Sequence, residues 1–269
     1  MNPLLRRLRA PHPSAGPLTG LFLLWPEPGI AELCATLDID FLVLDMEAGA
    51  LSRQDVLRAV QAVSGRDTTL LVRVPSHEPS HIEHALDIGA HGVLVPKVDT
   101  REQAEQLASY TRFPPMGRRG VNPVRASGYF SDVPGYLARA NSEALCLVQI
   151  ESARAVEEAE AIAAVPGVDG LFLGMGDLAM SFGQPGVTTG PRLDRARERT
   201  LRACRAHGLL AGAFAYGMDA AHSYSAEGFD VLAVGNDIKL IREGVEGLLR
   251  EMAPVRAGAT AATAGKDAQ

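Results

Sequence analysis

The amino-acid sequence predicts a single (β/α)₈ barrel of the TIM type. Three observations favour this fold: eight short apolar runs alternate with longer amphipathic stretches, the runs are apolar on both faces, and most of them end in polar residues. Strands of a parallel sheet that is covered by helices have this continuous apolarity. A chain of 269 residues suits one such barrel, which typically has about 250 residues.

The predicted strands are rich in valine, leucine, isoleucine and phenylalanine. In chain order they cover residues 18–25, 41–46, 69–74, 92–98, 144–150, 170–173, 209–214 and 231–234. In segments 40–45, 169–174 and 230–235 an aspartate leads into an apolar run, as a repeated βα unit would produce. Eight strands that alternate with helices favour a closed barrel over an open sheet.

Capping signals mark the starts of two helices between these strands. Ser52 is followed three residues later by Asp55, and Thr100 by Gln103, which is the spacing of an N-cap residue and its partner. The remaining helical patterns cover residues 153–164, 193–206, 219–227 and 238–252.

No linker divides the chain, so we predict one catalytic domain over residues 17–253. Residues 1–16 contain three prolines and no apolar run, and we expect a flexible arm there. Residues 254–269 are rich in alanine, glycine and threonine, and this composition predicts a disordered tail.

The charge, apolar runs and cysteines of the chain indicate which classes of partner it can bind. The formal net charge is −6 and the chain has no long basic cluster, which argues against nucleic acid as a partner. No apolar run is long enough to cross a membrane. The three cysteines lie far apart in sequence and form no CxxC motif, which is typical of reduced thiols in a cytoplasmic protein. We therefore expect a cytoplasmic protein that binds neither nucleic acid nor membrane.

The predicted strands end in residues that can do chemistry. These are Asp45 and Glu47 after the second strand, Arg73 after the third, Lys97 after the fourth, Gln149 and Glu151 at the fifth, Asp177 after the sixth, and Asn236 and Asp237 after the eighth. The carboxyl ends of barrel strands meet at one mouth, where active sites of this fold lie. The sequence therefore predicts an active site built from these side chains.

Glu151 and Asp177 are the candidate metal ligands, because each follows an apolar strand and the two strands are successive. Two carboxylates with open positions for water and substrate suit Mg²⁺ or Mn²⁺. The glycines at 174 and 176 allow backbone N–H groups to approach a substrate carboxylate, although an ordinary tight turn would also explain them. Arg73 can hold an oxyanion, and an ion pair with an acidic neighbour is compatible with that role.

Three histidines, at positions 77, 81 and 84, offer an alternative zinc site on one helix face. Pro79 lies between the first two, and a solvated helix surface is the favoured interpretation.

Six motifs occur in an order that resembles a known family. They are Leu-Asp-Met-Glu at 44–47, Val-Arg-Val-Pro at 72–75, Gly-Val-Leu-Val-Pro-Lys-Val at 92–98, Phe-Pro-Pro-Met-Gly-Arg-Arg-Gly at 113–120, Val-Gln-Ile-Glu at 148–151 and Val-Asp-Gly-Leu-Phe-Leu-Gly-Met-Gly-Asp-Leu at 168–178. Together they resemble the HpcH/HpaI family of metal-dependent class II aldolases, from about residue 20 to residue 252.

The resemblance implies a barrel of the phosphoenolpyruvate/pyruvate superfamily that assembles as a homo-oligomer, either a hexamer or its dimeric or trimeric sub-assembly. It implies that Glu151 and Asp177 hold a divalent metal with Gln149 beside it, and that the metal chelates pyruvate or a similar 2-oxo acid. Arg73 would then stabilise the enolate oxygen, and the amides around Gly176 would bind the substrate carboxylate.

The sequence departs from the family pattern at one position. The pattern usually has a histidine after the Asp-x-Glu motif, acting with the aspartate as general base, but here Asp45-Met46-Glu47 is followed by Ala48. Three functions stay open: an aldolase that uses another base, a citrate-synthase-like enzyme of siderophore biosynthesis that condenses oxaloacetate with acetyl-CoA, or a 2-oxo-acid-binding protein with little activity. The intact Glu151, Asp177 and Arg73 argue against the third.

Overall fold

Eight parallel strands close into one barrel in the computed structural model, which describes residues 2–8 and 16–264, with side chains as far as residue 255. The strands are β1 (Leu18–Leu23), β2 (Phe41–Asp45), β3 (Thr69–Arg73), β4 (Gly92–Val95), β5 (Leu145–Ile150), β6 (Gly170–Leu173), β7 (Leu210–Phe214) and β8 (Val231–Asn236). Each strand pairs with the next in sequence, and β8 pairs with β1. The predicted barrel and its eight strands are confirmed.

Helices surround this barrel, and one further helix precedes the first strand in sequence. They are α1 (Pro3–Leu8), α2 (Pro28–Ala35), α3 (Arg53–Ala62), α4 (Pro79–Asp87), α5 (Arg101–Thr111), α6 (Val133–Glu143), α7 (Ala153–Ala163), α8 (Met175–Ser181), α9 (Pro191–His207), α10 (Met218–Glu227) and α11 (Asp237–Ala264).

The predicted N-cap at Ser52 and the predicted capping box at Thr100 are both present, and Ser52 also forms a capping box with Asp55. The backbone N–H of Ser52 donates to the Asp55 carboxylate at 2.9 Å, and the backbone N–H of Asp55 donates back to the Ser52 hydroxyl. Thr100 and Gln103 make the same reciprocal pair at the start of α5. Each pair satisfies two backbone donors that a helix start leaves without intrahelical partners.

The apolar residues form two clusters, one on each side of the sheet. Leu42 and Leu44 of β2 face the surrounding helices, whereas Phe41 and Val43 face the barrel interior. This alternation explains why every residue of β2 is buried. Phe22 and Phe172 of the interior cluster lie near the carboxyl ends of their strands and form the floor of the mouth.

The N-terminal segment differs from the flexible arm that the sequence predicts for residues 1–16. Helix α1 places Leu4 in the interior cluster, with 1% of its surface exposed. The backbone N–H of Leu4 donates to the Thr69 hydroxyl at 2.8 Å, and the Asn2 amide donates to the carbonyl oxygens of His91 and Glu143. This segment therefore covers the amino-terminal end of the barrel. Residues 9–15 lie outside the described part of the chain.

The C-terminal segment also differs from the prediction. Helix α11 continues past Pro254 to Ala264, although a disordered tail is predicted from residue 254. Proline removes one helical hydrogen bond, but the alanines that follow it have high helix propensity. Residues 265–269 lie outside the described part. Among the described residues, no helix is both long and apolar enough to span a membrane.

Candidate active site

The carboxyl ends of the strands surround a cavity of about 190 Å³. Six of the predicted residues were assigned a catalytic, substrate-binding or metal-binding role, and five of them line the cavity, namely Asp45, Arg73, Gln149, Gly176 and Asp177. The sixth, Glu151, lies behind Gln149 and is 4% exposed. Phe22, Phe172 and Phe214 supply an apolar wall. The strand ends thus bring the predicted side chains together.

Arg73 and Asp45 form a two-pronged ion pair at the ends of neighbouring strands. Arg73 Nε donates to Asp45 Oδ1 at 2.9 Å, and Nη2 donates to Oδ2 at 2.6 Å. Asp45 Oδ1 also accepts the backbone N–H groups of Glu47 and Ala48. The third nitrogen, Nη1, lies 3.2 Å from Glu47. Arg73 is therefore held rigidly with its guanidinium beside the cavity.

Lys97 contacts the buried carboxylate of Glu151 with its backbone N–H, whereas its charged side chain lies mostly in solvent. The residue has a φ of 57°, and its N–H donates to Glu151 Oε1 at 2.7 Å. Its side chain is 70% exposed, and its ammonium group pairs with Glu47 at 2.7 Å. The sequence places this lysine correctly at a strand end but does not reveal the backbone contact.

Glu151 is a buried carboxylate that forms no salt bridge with any residue the structure describes. Its two oxygens accept hydrogen bonds from the Lys97 backbone and from Gln149 Nε2, the latter at 2.6 Å. Burial, together with the negative charges of Glu47 and Asp177, raises the pKa of Glu151 to about 7. A positive ion bound here would relieve both effects.

Gln149 and Gly174 pack tightly around Glu151. Gln149 Oε1 is buried and has no hydrogen-bond partner among the described residues. A Cβ at position 174 would lie 2.4 Å from Gln149 Nε2 and 2.7 Å from Glu151 Oε2. The glycine is therefore required by the close approach of these two side chains.

Asp177 lies in the first turn of α8, exposed at the mouth, and no hydrogen bond to its carboxylate is found in the described part of the chain. Glu151 and Asp177 are thus one buried and one open carboxylate that follow the adjacent strands β5 and β6. No group of three or more His, Cys, Asp or Glu side chains that could hold a metal ion occurs among residues 2–8 and 16–264. Two protein carboxylates fit a divalent ion whose other positions go to water and substrate, and the unpartnered Gln149 oxygen offers a neighbouring acceptor for such a water.

The two polar residues at the end of β8 have different roles. Asn236 lines the cavity. The carboxylate of Asp237 accepts the backbone N–H groups of Leu24 and Trp25, and so fixes the loop after β1.

The three histidines do not form a site together. His77 Nε2 lies 2.7 Å from the Pro96 carbonyl oxygen, and His81 Nδ1 lies 3.0 Å from the Ser76 hydroxyl. His84 is partly buried, and burial lowers its pKa.

Comparison with known proteins identifies the family. The family model described as HpcH/HpaI aldolase/citrate lyase matches residues 18–244. The chain belongs to this family. It is 40% identical, over 79% of its own length and 84% of the relative's, to the hydroxypyruvate/pyruvate aldolase of Chromohalobacter salexigens.

Two solved structures extend the comparison. A HpcH/HpaI aldolase/citrate lyase family protein from Burkholderia cenocepacia superposes with a TM-score of 0.87 at 36% identity, covering 94% of this chain and 99% of that protein. The citrate synthase SbnG superposes with a TM-score of 0.81 at 25% identity, covering 90% and 96%.

Sequence reasoning missed one prominent residue of the cavity, Tyr216. It follows β7, its ring packs on Phe214 with centroids 4.8 Å apart, and its hydroxyl lies against Gly176. Burial, followed by the charge of Asp177, raises its pKa. The strand before it ends in small and aromatic residues, so the sequence offers no charged signal at this position. Ala48 lines the same cavity.

Proposed function

We propose that this protein is a divalent-metal-dependent aldolase that makes or breaks a carbon–carbon bond next to a small 2-oxo acid. The observation that supports this most strongly is the position of Arg73, Gln149 and Asp177 around one cavity, with the buried Glu151 behind it. The aldolase named among the relatives acts on hydroxypyruvate and pyruvate. We also propose that the barrel belongs to the phosphoenolpyruvate/pyruvate superfamily.

Glu151 and Asp177 would hold the metal, and Mg²⁺ or Mn²⁺ suits their oxygen ligands best. When bound, such an ion polarises a keto oxygen and lowers the free energy of the enolate. Gln149 keeps the Glu151 carboxylate in place through its 2.6 Å hydrogen bond. The raised pKa of Glu151 is consistent with a carboxylate whose partner is a cation.

Arg73 would stabilise the negative charge that develops on the enolate oxygen. Its side chain is 13% exposed and is fixed by Asp45 on one side and by the Phe22 ring, 5.1 Å away, on the other. A donor fixed before the reaction stabilises a transition state without reorganisation. The backbone amides around Gly176, in the first turn of α8, would bind the substrate carboxylate.

The proton-transfer step is where this chain differs from its family pattern. Ala48 carries no ionisable group, and both oxygens of Asp45 are occupied by Arg73. A positioned general base contributes about 10²–10⁴-fold to a rate. We infer that Asp45 acts here by orienting Arg73, and that a water molecule at the mouth exchanges the proton.

A citrate-synthase-like condensation of oxaloacetate with acetyl-CoA is the second candidate, as in siderophore biosynthesis. Ala48 at the cavity wall favours it, because oxaloacetate can act there as an electrophile without losing a proton to a base at position 48. The structural likeness to the citrate synthase SbnG is compatible with this alternative. A 2-oxo-acid-binding protein with little activity is the third, and the preserved Arg73–Asp45 pair speaks against it.

We propose that the protein assembles as a homo-oligomer, a hexamer or its dimeric or trimeric sub-assembly. Helix α11 supports this, because it exposes a series of large apolar side chains. They are Leu240, Ile241, Val245, Leu248, Leu249 and Met252. Exposed apolar surface of this kind marks interfaces. Three free, buried cysteines are in keeping with a cytoplasmic setting.

The decisive experiment is a paired assay with Mg²⁺ or Mn²⁺, with and without a chelator. One arm supplies a 4-hydroxy-2-oxo acid and follows pyruvate release; the other supplies oxaloacetate and acetyl-CoA and follows thiol release. Chelator-sensitive pyruvate release supports the aldolase, and chelator-sensitive thiol release supports the second candidate. Full activity of Glu151→Ala or Asp177→Ala would refute the metal site.

A further inference from the structure

Tyr216 is a polar group in the cavity that the proposed chemistry leaves without a role. It lies two residues after β7, and the next residue, Gly217, has a φ of 108° and is the N-cap of α10. The Tyr216 ring packs on Phe214, which meets Phe22 edge-on at 5.5 Å. The phenol is therefore supported by the aromatic wall of the cavity and is still half exposed at the mouth.

The hydroxyl of Tyr216 approaches the backbone at Gly176 closely. A Cβ built on Gly176 would lie 2.8 Å from the phenol oxygen, closer than side-chain atoms normally come. Gly176 has an ordinary backbone conformation, so its φ does not require glycine. A methyl group at position 176 would therefore displace the phenol of Tyr216.

The Tyr216 hydroxyl has no hydrogen-bond partner in the part of the chain that the structure describes. Among the neighbouring polar groups, Arg73 pairs with Asp45, and Gln149 Nε2 donates to Glu151, whereas Gln149 Oε1 can only accept a hydrogen bond. Asp177 is open, but the proposed function assigns it to the metal. Tyr216 thus supplies a free hydroxyl donor beside the position where the first reactant would bind.

Ala48 and Tyr216 line the same cavity. A small side chain at position 48 leaves space there, and the phenol adds a donor to the wall formed by β7. A second reactant that enters from the mouth would meet the hydroxyl before it meets the apolar floor at Phe22 and Phe172.

We propose that Tyr216 is a catalytic residue that donates its hydroxyl proton to the carbonyl oxygen of the second reactant, an aldehyde. This rests on the proposed aldolase function. In condensation, pyruvate loses a methyl proton to water, and its enolate carbon forms a bond to the aldehyde carbon. The carbonyl π pair moves to oxygen, which takes the Tyr216 proton, and the phenolate regains a proton from water. Cleavage follows the same steps in reverse.

The test compares two reactions of Tyr216→Phe. Condensation of pyruvate with glycolaldehyde or glyceraldehyde needs an acceptor carbonyl, whereas decarboxylation of oxaloacetate gives the same enolate without one. A hydrogen bond to a group that gains charge is worth about 10- to 100-fold in rate. We expect kcat/KM for condensation to fall about 10- to 100-fold, and to fall at least tenfold more than kcat/KM for decarboxylation.

Tyr224→Phe is the matched control, because Tyr224 is buried on α10 against Phe229 and Arg197, outside the cavity. An equal loss in both reactions would assign Tyr216 to the enolate site or to folding and would overturn the proposal, as would no loss in either. If the wild-type protein carries out neither reaction with metal, the proposed aldolase function is refuted, and the proposed role of Tyr216 is refuted with it.

Discussion

Arg73 holds both carboxylate oxygens of Asp45, with nitrogen–oxygen distances of 2.9 and 2.6 Å, while Asp45 itself is 1% exposed. The two parallel hydrogen bonds fix both the position and the orientation of the guanidinium plane. A lysine cannot replace them, because its single ammonium group has no such plane. Removing one member of a buried pair also leaves the other unpaired, at a cost of about 3–5 kcal/mol.

Arg73→Lys should therefore lower kcat by at least about 100-fold, because removing one preorganised oxyanion donor typically costs about 10²–10³-fold. The affinity for Mn²⁺, measured by calorimetry, should change little, since Arg73 is not a proposed ligand. Arg66→Lys on the exposed loop after α3 is the control. Wild-type turnover in Arg73→Lys would refute the proposed role of the Arg73 guanidinium in stabilising the enolate oxygen.

The raised pKa of Glu151 predicts an unusual pH dependence of the metal-free protein. With a folded pKa of about 7 against an ordinary value of 4.5, the folded state binds the proton more tightly. The contribution of Glu151 to stability is fully present below about pH 4.5 and is lost as the pH rises through 7, by an amount on the order of 3 kcal/mol.

Glu151→Gln should remove this dependence, because the amide resembles the protonated acid. Melting temperatures of chelator-treated protein should rise in the variant relative to wild type by more at pH 8 than at pH 5. Metal should stabilise the wild type at pH 8 and leave Glu151→Gln nearly unaffected. A variant whose melting temperature follows that of wild type across this range would contradict the assignment.

Position 48 offers a gain-of-function test. Ala48→His places an imidazole beside the cavity, and a general base there should raise the rate of pyruvate release from a 4-hydroxy-2-oxo acid by about tenfold or more. Ala50→His, two residues further along the same loop, is the control and should have no effect. An unchanged rate in Ala48→His would mean that the proton exchange does not pass this wall of the cavity.

Gly176 and Tyr216 should be energetically coupled. Gly176→Ala puts a methyl group 2.8 Å from the phenol oxygen and should displace the hydroxyl, lowering kcat/KM for condensation. In the double variant with Tyr216→Phe the two losses should not add, because both remove the same contact. Fully additive losses in this double-mutant cycle would show that the residues act separately.

The barrel was predictable because its signals are local. Continuous apolarity identifies strands buried on two faces, and Ser52–Asp55 and Thr100–Gln103 identify helix starts from their own spacing. The polar strand ends also predict which side chains meet, since the fold itself brings strand termini to one mouth.

Other features depend on contacts between distant segments and leave no local pattern. Leu4 is buried only because the barrel leaves an apolar opening at its amino-terminal end. The hydrogen bond from the Lys97 backbone to Glu151 occurs at a residue in the left-handed conformation, which a lysine does not signal in a sequence. The hydroxyl of Tyr216 carries no charge that would distinguish it in the sequence. A pattern-based prediction of the site therefore finds its carboxylates and its arginine but not its phenol.

The packing at Gly174 has a consequence for how this site can acquire new substrates. Any side chain there would strike Gln149 and Glu151, so in a library of all substitutions at position 174 only glycine should retain metal-dependent activity. Ala48, by contrast, lines the cavity with a small side chain and has no proposed catalytic role. Variation in acceptor preference, whether natural or selected in the laboratory, should therefore accumulate at position 48, while glycine is retained at position 174.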